Sequence, residues 1–327
     1  VVHVRGSSVH RFINNVIINT YASVSTSTAD QPRQGALCYY YTSAMFYDTS
    51  VLEMSGNTVK LYNGVGYGLY VQMQAGRMQH DGTNAYTTGL IYVLYATAAR
   101  KNDVFVVTKS ALTTLTVDRA DTLITTNDTM VVQSSMITNL YLDCGKSNGT
   151  QLSVTGSTLG VLYMYGGAMG GAVVCMSKNF VSGMTSSTIG PIDNSTYEIS
   201  DSTIYALTQS ALILRSKPVF RSSTFKYYLQ LAGGGLQSAD VVLYNLTITT
   251  KNTQGLSISS FPMTVGSSLS VLSCRVKTTS TYAMYMTASV ISGGSKLVME
   301  DSSFDGQHGF YMNGAHLTPG SMMTVKR

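Results

Sequence analysis

The side chains able to do acid–base, metal or nucleophile chemistry are few and scattered. The sequence holds 16 Asp and Glu, 5 His and 4 Cys among 327 residues. Its densest acidic group is Glu300-Asp301 with Asp305, and Asp118, Arg119 and Asp121 form a second, smaller one. Glycoside hydrolysis needs two carboxylates flanking one bond, and neither group singles out such a pair. A polar turn accounts for the first, and a salt-bridged patch for the second. The His residues lack metal-ligand spacing, so no metal and no cofactor is expected. One basic cluster stands out, Arg215, Lys217, Arg221 and Lys226. It reads either as a contact patch for acidic glycans or protein, or as a solvated charged edge. Sequons at Asn127, Asn148, Asn194 and Asn245 are glycosylation candidates.

These groups sit in an unusual background. Charged residues make up 11% of the chain, against about 25% in ordinary domains. Ser and Thr together make up roughly a quarter. Helices so poor in Glu, Lys and Arg would lack solvating faces, which excludes a charged helical bundle. No apolar run reaches the roughly 18 residues of a membrane span. The net charge of +5 is modest, and no nucleic-acid partner is expected. At 44% hydrophobic residues the chain can still build a large core. It starts Val1-Val2-His3-Val4 and ends Ser321-Met322-Met323-Thr324-Val325-Lys326-Arg327, which reads as the start of another strand. The expectation is a segment of a longer polypeptide with its targeting signals elsewhere.

What must position the side chains is a repeat. Leu52-Glu53-Met54-Ser55-Gly56-Asn57-Thr58-Val59 recurs in style as Leu152–Leu159, Tyr197–Ile204 and Leu297–Phe304. The unit has an apolar anchor, a second apolar residue two later, a turn residue at four and an apolar residue at seven. Anchors fall at Val9, Leu52, Met78, Val104, Met130, Leu152, Val173, Tyr197, Pro218, Val241, Leu269, Leu297 and Met323. Spacings run from 21 to 28 residues, apart from a first gap of 43. Position four is Gly, Ser, Thr, Asn or Asp in all but the first unit, residues that tolerate φ > 0 or bond their own backbone. Second strands with period-two alternation follow at 68–71, 89–92, 255–258, 283–286 and 309–312.

Short strands, tight turns and a 21–28-residue period predict an all-β chain. The fold expected is a right-handed parallel β-helix, a β-solenoid of about twelve coils, running through 1–327 as one unit. A polar stretch with Pro at about 20–34 reads as a loop inserted into one coil, or as a degenerate extra coil. Across the whole chain the pattern resembles the right-handed parallel β-helix, or pectate-lyase-like, superfamily. More narrowly, phrases such as residues 50–59 look like the dispersed gene family surface proteins of trypanosomatids. Lyases of the superfamily carry clustered acidic Ca²⁺ ligands with an Arg or Lys base. Its hydrolases carry Asn-Thr-Asp, Asp-Asp and Gly-His-Gly. None of those tripeptides and no Asp-Asp occurs here.

The repeat also constrains single residues. His80 and Arg11 fall at the second inward position, where other coils carry Met54, Val106 and Val132. His80 reads as a hydrogen-bonded interior histidine. Cys38, Cys144, Cys175 and Cys274 lie too many coils apart to bridge, since a disulfide needs Cα atoms within about 7 Å. Free, mainly buried thiols are expected. Tyr70, Tyr92, Tyr285 and Tyr311 point outward, to stack between coils or to offer sugars an aromatic face. The function expected is a non-enzymatic structural or adhesive rod of a large extracellular or cell-surface protein. Its partners would be further coils, identical subunits stacked head to tail into a filament, or surface glycans and proteins. Any membrane anchor would lie outside this segment. The alternative is a polysaccharide lyase or hydrolase, or a glycan-binding spike, on the same scaffold.

Overall fold

The structure is a computed structural model that describes residues 9–14, 16–19, 35–39, 51–61, 67–73, 77–81, 85–86, 90–95, 100–101, 104–119, 124–143, 146–166, 168–251, 254–279 and 282–326. The expected loop at 20–34, Asp121 and Cys144 lie outside the described residues. So do the side chains of Cys38, Tyr70, His80, Tyr92, Asp118 and Arg119.

Every strand pairs with the equivalent strand one coil away. A thirteen-stranded sheet starts at Val9–Ile13 and ends at Met322–Lys326, each strand next to its neighbour in repeat order. A ten-stranded sheet of two- and three-residue strands and a fifteen-stranded sheet form the other faces, a short three-stranded sheet of Val16–Asn19, Thr58–Leu61 and Ala85–Tyr86 adds to the first coils, and the pairing is parallel throughout. A coil therefore holds three strands where the sequence revealed two. Thr129–Gln133, Met136–Asp143 and Lys146–Asn148 make one such coil. The result is a right-handed parallel β-helix. Twelve steps of about 4.8 Å make the thirteen-stranded face roughly 55–60 Å long.

The thirteen-stranded sheet shows why the anchor columns form a core. Its strands bury their second and fourth residues, as in Thr129–Gln133, Gln151–Thr155 and Lys296–Glu300. Met130, Leu152, Val174 and Tyr197 stack in register, and all are buried. Burying each such side chain contributes about 1.5–3 kcal/mol.

Three anchors move by one residue. The register aligns His10 with Leu52, Phe105 with Met78 and Met130, and Val174 with Leu152. The anchors read as Val9, Val104 and Val173 therefore belong one residue later. Val104-Phe105-Val106-Val107 and Val173-Val174-Cys175-Met176 are apolar in both phases, so alternation alone cannot choose the face. The turn chooses. With the corrected anchors, position four reads Asn14, Gly56, Lys109, Ser134, Gly156, Lys178, Asp201, Ser222, Asn245, Ser273 and Asp301. Each of these lies at positive φ, between 49° and 65°. Lys109 and Lys178 hold this conformation despite side chains that do not favour it.

The residue after this turn explains much of the serine. Ser110, Ser135, Ser157, Asn179, Ser202 and Ser223 are buried in successive coils. The backbone N–H of each of the first five donates to the side-chain oxygen of the next, at 2.9–3.2 Å. Each serine hydroxyl in turn donates to the carbonyl two residues before it. Buried polar atoms are tolerated here because each has a partner. Leu246 interrupts the column in the next coil, and Cys274 resumes it with its thiol set toward Leu243 O and Leu272 O at 3.4 and 3.3 Å. A second turn column repeats the device. Asn127, Gly149, Gly171, Asn194, Arg215 and Ser238 take positive φ. Ser195 and Ser216 follow two of them, and Ser267 and Ser295 follow the positive-φ Gly266 and Gly294 of later coils; all four accept from the backbone of the preceding coil. These serines lie inside the rod.

Candidate functional site

The sequence-derived candidates spread around the rod. Arg215 sits in the second turn column, where its Nε donates to Asp193 Oδ1 at 2.8 Å and a second nitrogen pairs with Oδ2. That guanidinium holds the Asp193 carboxyl below its ordinary value. Arg221 binds Glu198 at 2.7 Å. Lys217 and Arg221 open and close one strand of the thirteen-stranded sheet, and Lys226 lies beyond the turn on the fifteen-stranded sheet. The four cations are thus distributed along one coil, with two of them neutralised by the preceding coil.

The other candidates divide similarly. Arg11 is exposed and bonded to Glu53 at 2.7 Å, its register partner on the next coil, and not inward as expected. His80 aligns with Met54 and Val107, so the inward neighbour is Val107 where Val106 was expected. Asp301 occupies the positive-φ turn, Glu300 pairs with Lys326 and Asp305 with Lys277. Asp118 and Arg119 end the strand Ala111–Arg119. Asn127, Asn148, Asn194 and Asn245 are all exposed, and all but Asn148 have positive φ. Asn127 lies over Gly149, where a Cβ would come within 2.3 Å of its Oδ1. Among the described thiols Cys175 and Cys274 are free, and burial pushes Cys274 up to about 11. Cys175 is half-buried, contrary to the expected interior place, because the shift to Val174 turns it outward. Tyr285 and Tyr311 stack in register between coils at 5.7 Å, with rings within 5° of parallel.

One feature escaped the sequence, a fork in the fifteen-stranded sheet. Through the middle coils a single long strand runs along this face, ending with Thr224–Ala232. In the next coil it is replaced by two, Thr247–Thr250 and Leu256–Ser259. Thr224 and Phe225 pair with the first, and Leu229 to Ala232 with the second. Lys226, Tyr227 and Tyr228 lie between. The register against the preceding coil also slips here, from Ile204 opposite Phe225 to Ala206 opposite Tyr228. Lys226 and Tyr227 therefore oppose the single Tyr205, as in a β-bulge. Gly255 lets the second branch begin, since a Cβ there would meet Val276 Cγ1 at 2.5 Å and Ala283 O at 3.0 Å.

The fork makes a groove of about 560 Å³ lined by Tyr205, Thr224, Lys226, Tyr227, Thr249 and Lys251. Tyr205 and Tyr227 stack at 5.2 Å with 14° between their planes. Tyr228 tilts against Tyr227 at 5.3 Å. The Lys226 ammonium lies 5.7 Å from the centre of the exposed Phe180 ring. The arrangement joins an aromatic floor to two cations and two hydroxyls. Such a groove suits binding, and its volume is typical of a small-ligand site. Only Lys226 was named from the sequence. A doublet of tyrosines one residue too long for the repeat was the available signal.

Fold and groove define the class: a parallel β-helix carrying an aromatic, cationic surface groove. Neither a family model nor a curated relative matches the chain. Among solved structures it is similar to the A-module of the mannuronan C-5 epimerase AlgE6 of Azotobacter vinelandii. That match has 11% identity, a TM-score of 0.25, and covers 98% of this chain and 91% of that one.

Proposed function

We propose that the chain is a non-enzymatic structural and adhesive rod of an extracellular or cell-surface protein. The observation that carries this reading is the use made of the carboxylates. Glu53, Asp193, Glu198, Glu300 and Asp305 each pair with a cation on an adjacent coil. Asp240 accepts the Ser268 hydroxyl at 2.6 Å, and Asp201 and Asp301 hold positive-φ turns. These acids tie coil to coil or shape turns, and a carboxylate held by a guanidinium is a poor proton donor at neutral pH. The stacked hydrogen-bond columns give stiffness along the axis, which is the property a spacer needs. The test is incubation of the 327-residue chain with polyuronates and neutral glycans, followed by product analysis. No shortened, unsaturated or epimerised product is expected. A product whose formation requires Asp301 and Asp305, or Asp118 and Asp121, would overturn the reading in favour of a carbohydrate-active enzyme.

A further inference from the structure

From the fork we infer a saccharide-binding site whose ligand is a sugar residue carrying an anionic group, bound without being changed. The inference rests on the adhesive reading above and gives it a ligand class. Three observations converge on it.

The first is the aromatic floor. Tyr205 stacks on Tyr227 from the preceding coil, and Thr249 and Lys251 of the following coil line the same groove. Tyr228 tilts against Tyr227 at 5.3 Å, so the floor is a cluster of three rings of which Tyr205 and Tyr227 line the groove. A tyrosine ring offers an apolar, electron-rich face, which the C–H face of a pyranose can cover.

The second is charge. Elsewhere on the rod Arg11, Arg215, Arg221, Lys277 and Lys326 are matched by carboxylates of adjacent coils. Lys226 and Lys251 make no ion pair among the described residues. Both line the groove, with Thr224 and Thr249 beside them. Other exposed lysines are also unpaired, but these two share one aromatic floor. Two ammonium groups beside a stacking platform select an anionic sugar over a neutral one by charge-assisted hydrogen bonds.

The third is position. The fork interrupts the backbone ladder at Lys226–Tyr228, so the groove is a break in the repeat and not a generic strip of its surface. Bulges and ladder breaks of this kind re-aim side chains where function needs them.

The test is saturation-transfer NMR and titration of the full chain at low millimolar saccharide. Probes are a neutral oligosaccharide and matched ones ending in a carboxylated or a sulfated sugar. Binding of the anionic probes is expected, weakened by salt. Whether the carboxylated or the sulfated probe binds more tightly identifies the source of the anion. Lys226→Gln with Lys251→Gln should cost about tenfold in affinity for the anionic probes. Tyr227→Ala should weaken every probe, with Tyr227→Phe near wild type. Tyr244→Ala, at an exposed tyrosine away from the groove, should change nothing. If no anionic probe binds, or if the double lysine variant binds as wild type does, the inference fails. The same samples are followed for new saccharide signals. New product overturns the adhesive reading, whereas absence of both binding and product overturns only the site.

Discussion

The first turn column and the fork are both breaks in strand structure, and both are rich in polar side chains. They differ in where those side chains find partners. At the turn, Asn179 accepts from Ser157 N at 2.9 Å, donates to Val154 O at 2.8 Å, and its own N–H donates to Ser202 Oγ at 3.1 Å. At the fork, Lys226, Lys251 and the Tyr205–Tyr227 pair face a groove. The chain satisfies its turns internally and leaves the fork available to another molecule. Polarity alone therefore does not mark function in this rod; the location of the partner does.

The largest expected effect tests the internal half of that contrast. Asn179→Leu removes the acceptor for Ser157 N and the donor for Val154 O while remaining buried. Leaving the buried Ser157 N–H unpaired and removing the added bond to Val154 O should cost about 1–3 kcal/mol in urea denaturation. Lys226→Gln at the fork should leave the same midpoint unchanged. A variant pair with equal midpoints would erase the distinction between the two regions.

A smaller effect is expected where cysteine stands in for serine. Cys274 is buried, its thiol points at two carbonyls, and burial raises its pKa to about 11. The thiolate is the reactive form, so Cys274 should resist a maleimide in the folded chain. Cys175, on the outward side of its strand, should be labelled. Cys274→Ser should change stability by less than about 1 kcal/mol, since a hydroxyl can make the same contacts. Rapid labelling of Cys274 in native buffer would show that the column is open there.

The sequence revealed the fold through two columns, the apolar residues at the anchor and the turn residues at position four. It misplaced the anchors at Val104 and Val173 because Val104–Val107 and Val173–Met176 are apolar in both phases, and because Thr108 and Ser177 imitate the turn residue; the third, Val9, was missed because the true anchor position is held by the polar His10. The true turn residues, Lys109 and Lys178, carry no sign of positive φ in their chemistry. The serine columns were hidden for a related reason. Serine is expected outside, and only the pairing of Ser135 N with Ser157 Oγ across 22 residues shows why it is inside. Of the candidate site, the sequence disclosed Lys226 but not its company. Tyr205, Tyr227 and Lys251 meet only because the ladder forks, and that depends on Gly255 fitting against Ala283 O. A fork is a property of two consecutive coils, and a single-unit template cannot display it.

The smallest expected effect concerns the surface staples, which lie between the two extremes. Asp193 is bound by Arg215, and its pKa is lowered chiefly by that hydrogen bond. A carboxyl with a depressed folded-state pKa adds stability above its unfolded value of about 3.9, and loses it as pH falls through the folded value. The pair is exposed, so water and salt screen most of that gain. Asp193→Asn should therefore lower the urea midpoint only slightly at pH 7. The difference from wild type should shrink as pH falls below the ordinary carboxylate value and through the lowered folded one, and also near 1 M salt at pH 7. If it persisted at low pH, Asp193 would be acting through the geometry of its turn and not through charge. The staple would then belong with the buried serine columns, and the contrast between internal and outward polarity would have to be drawn elsewhere on the rod.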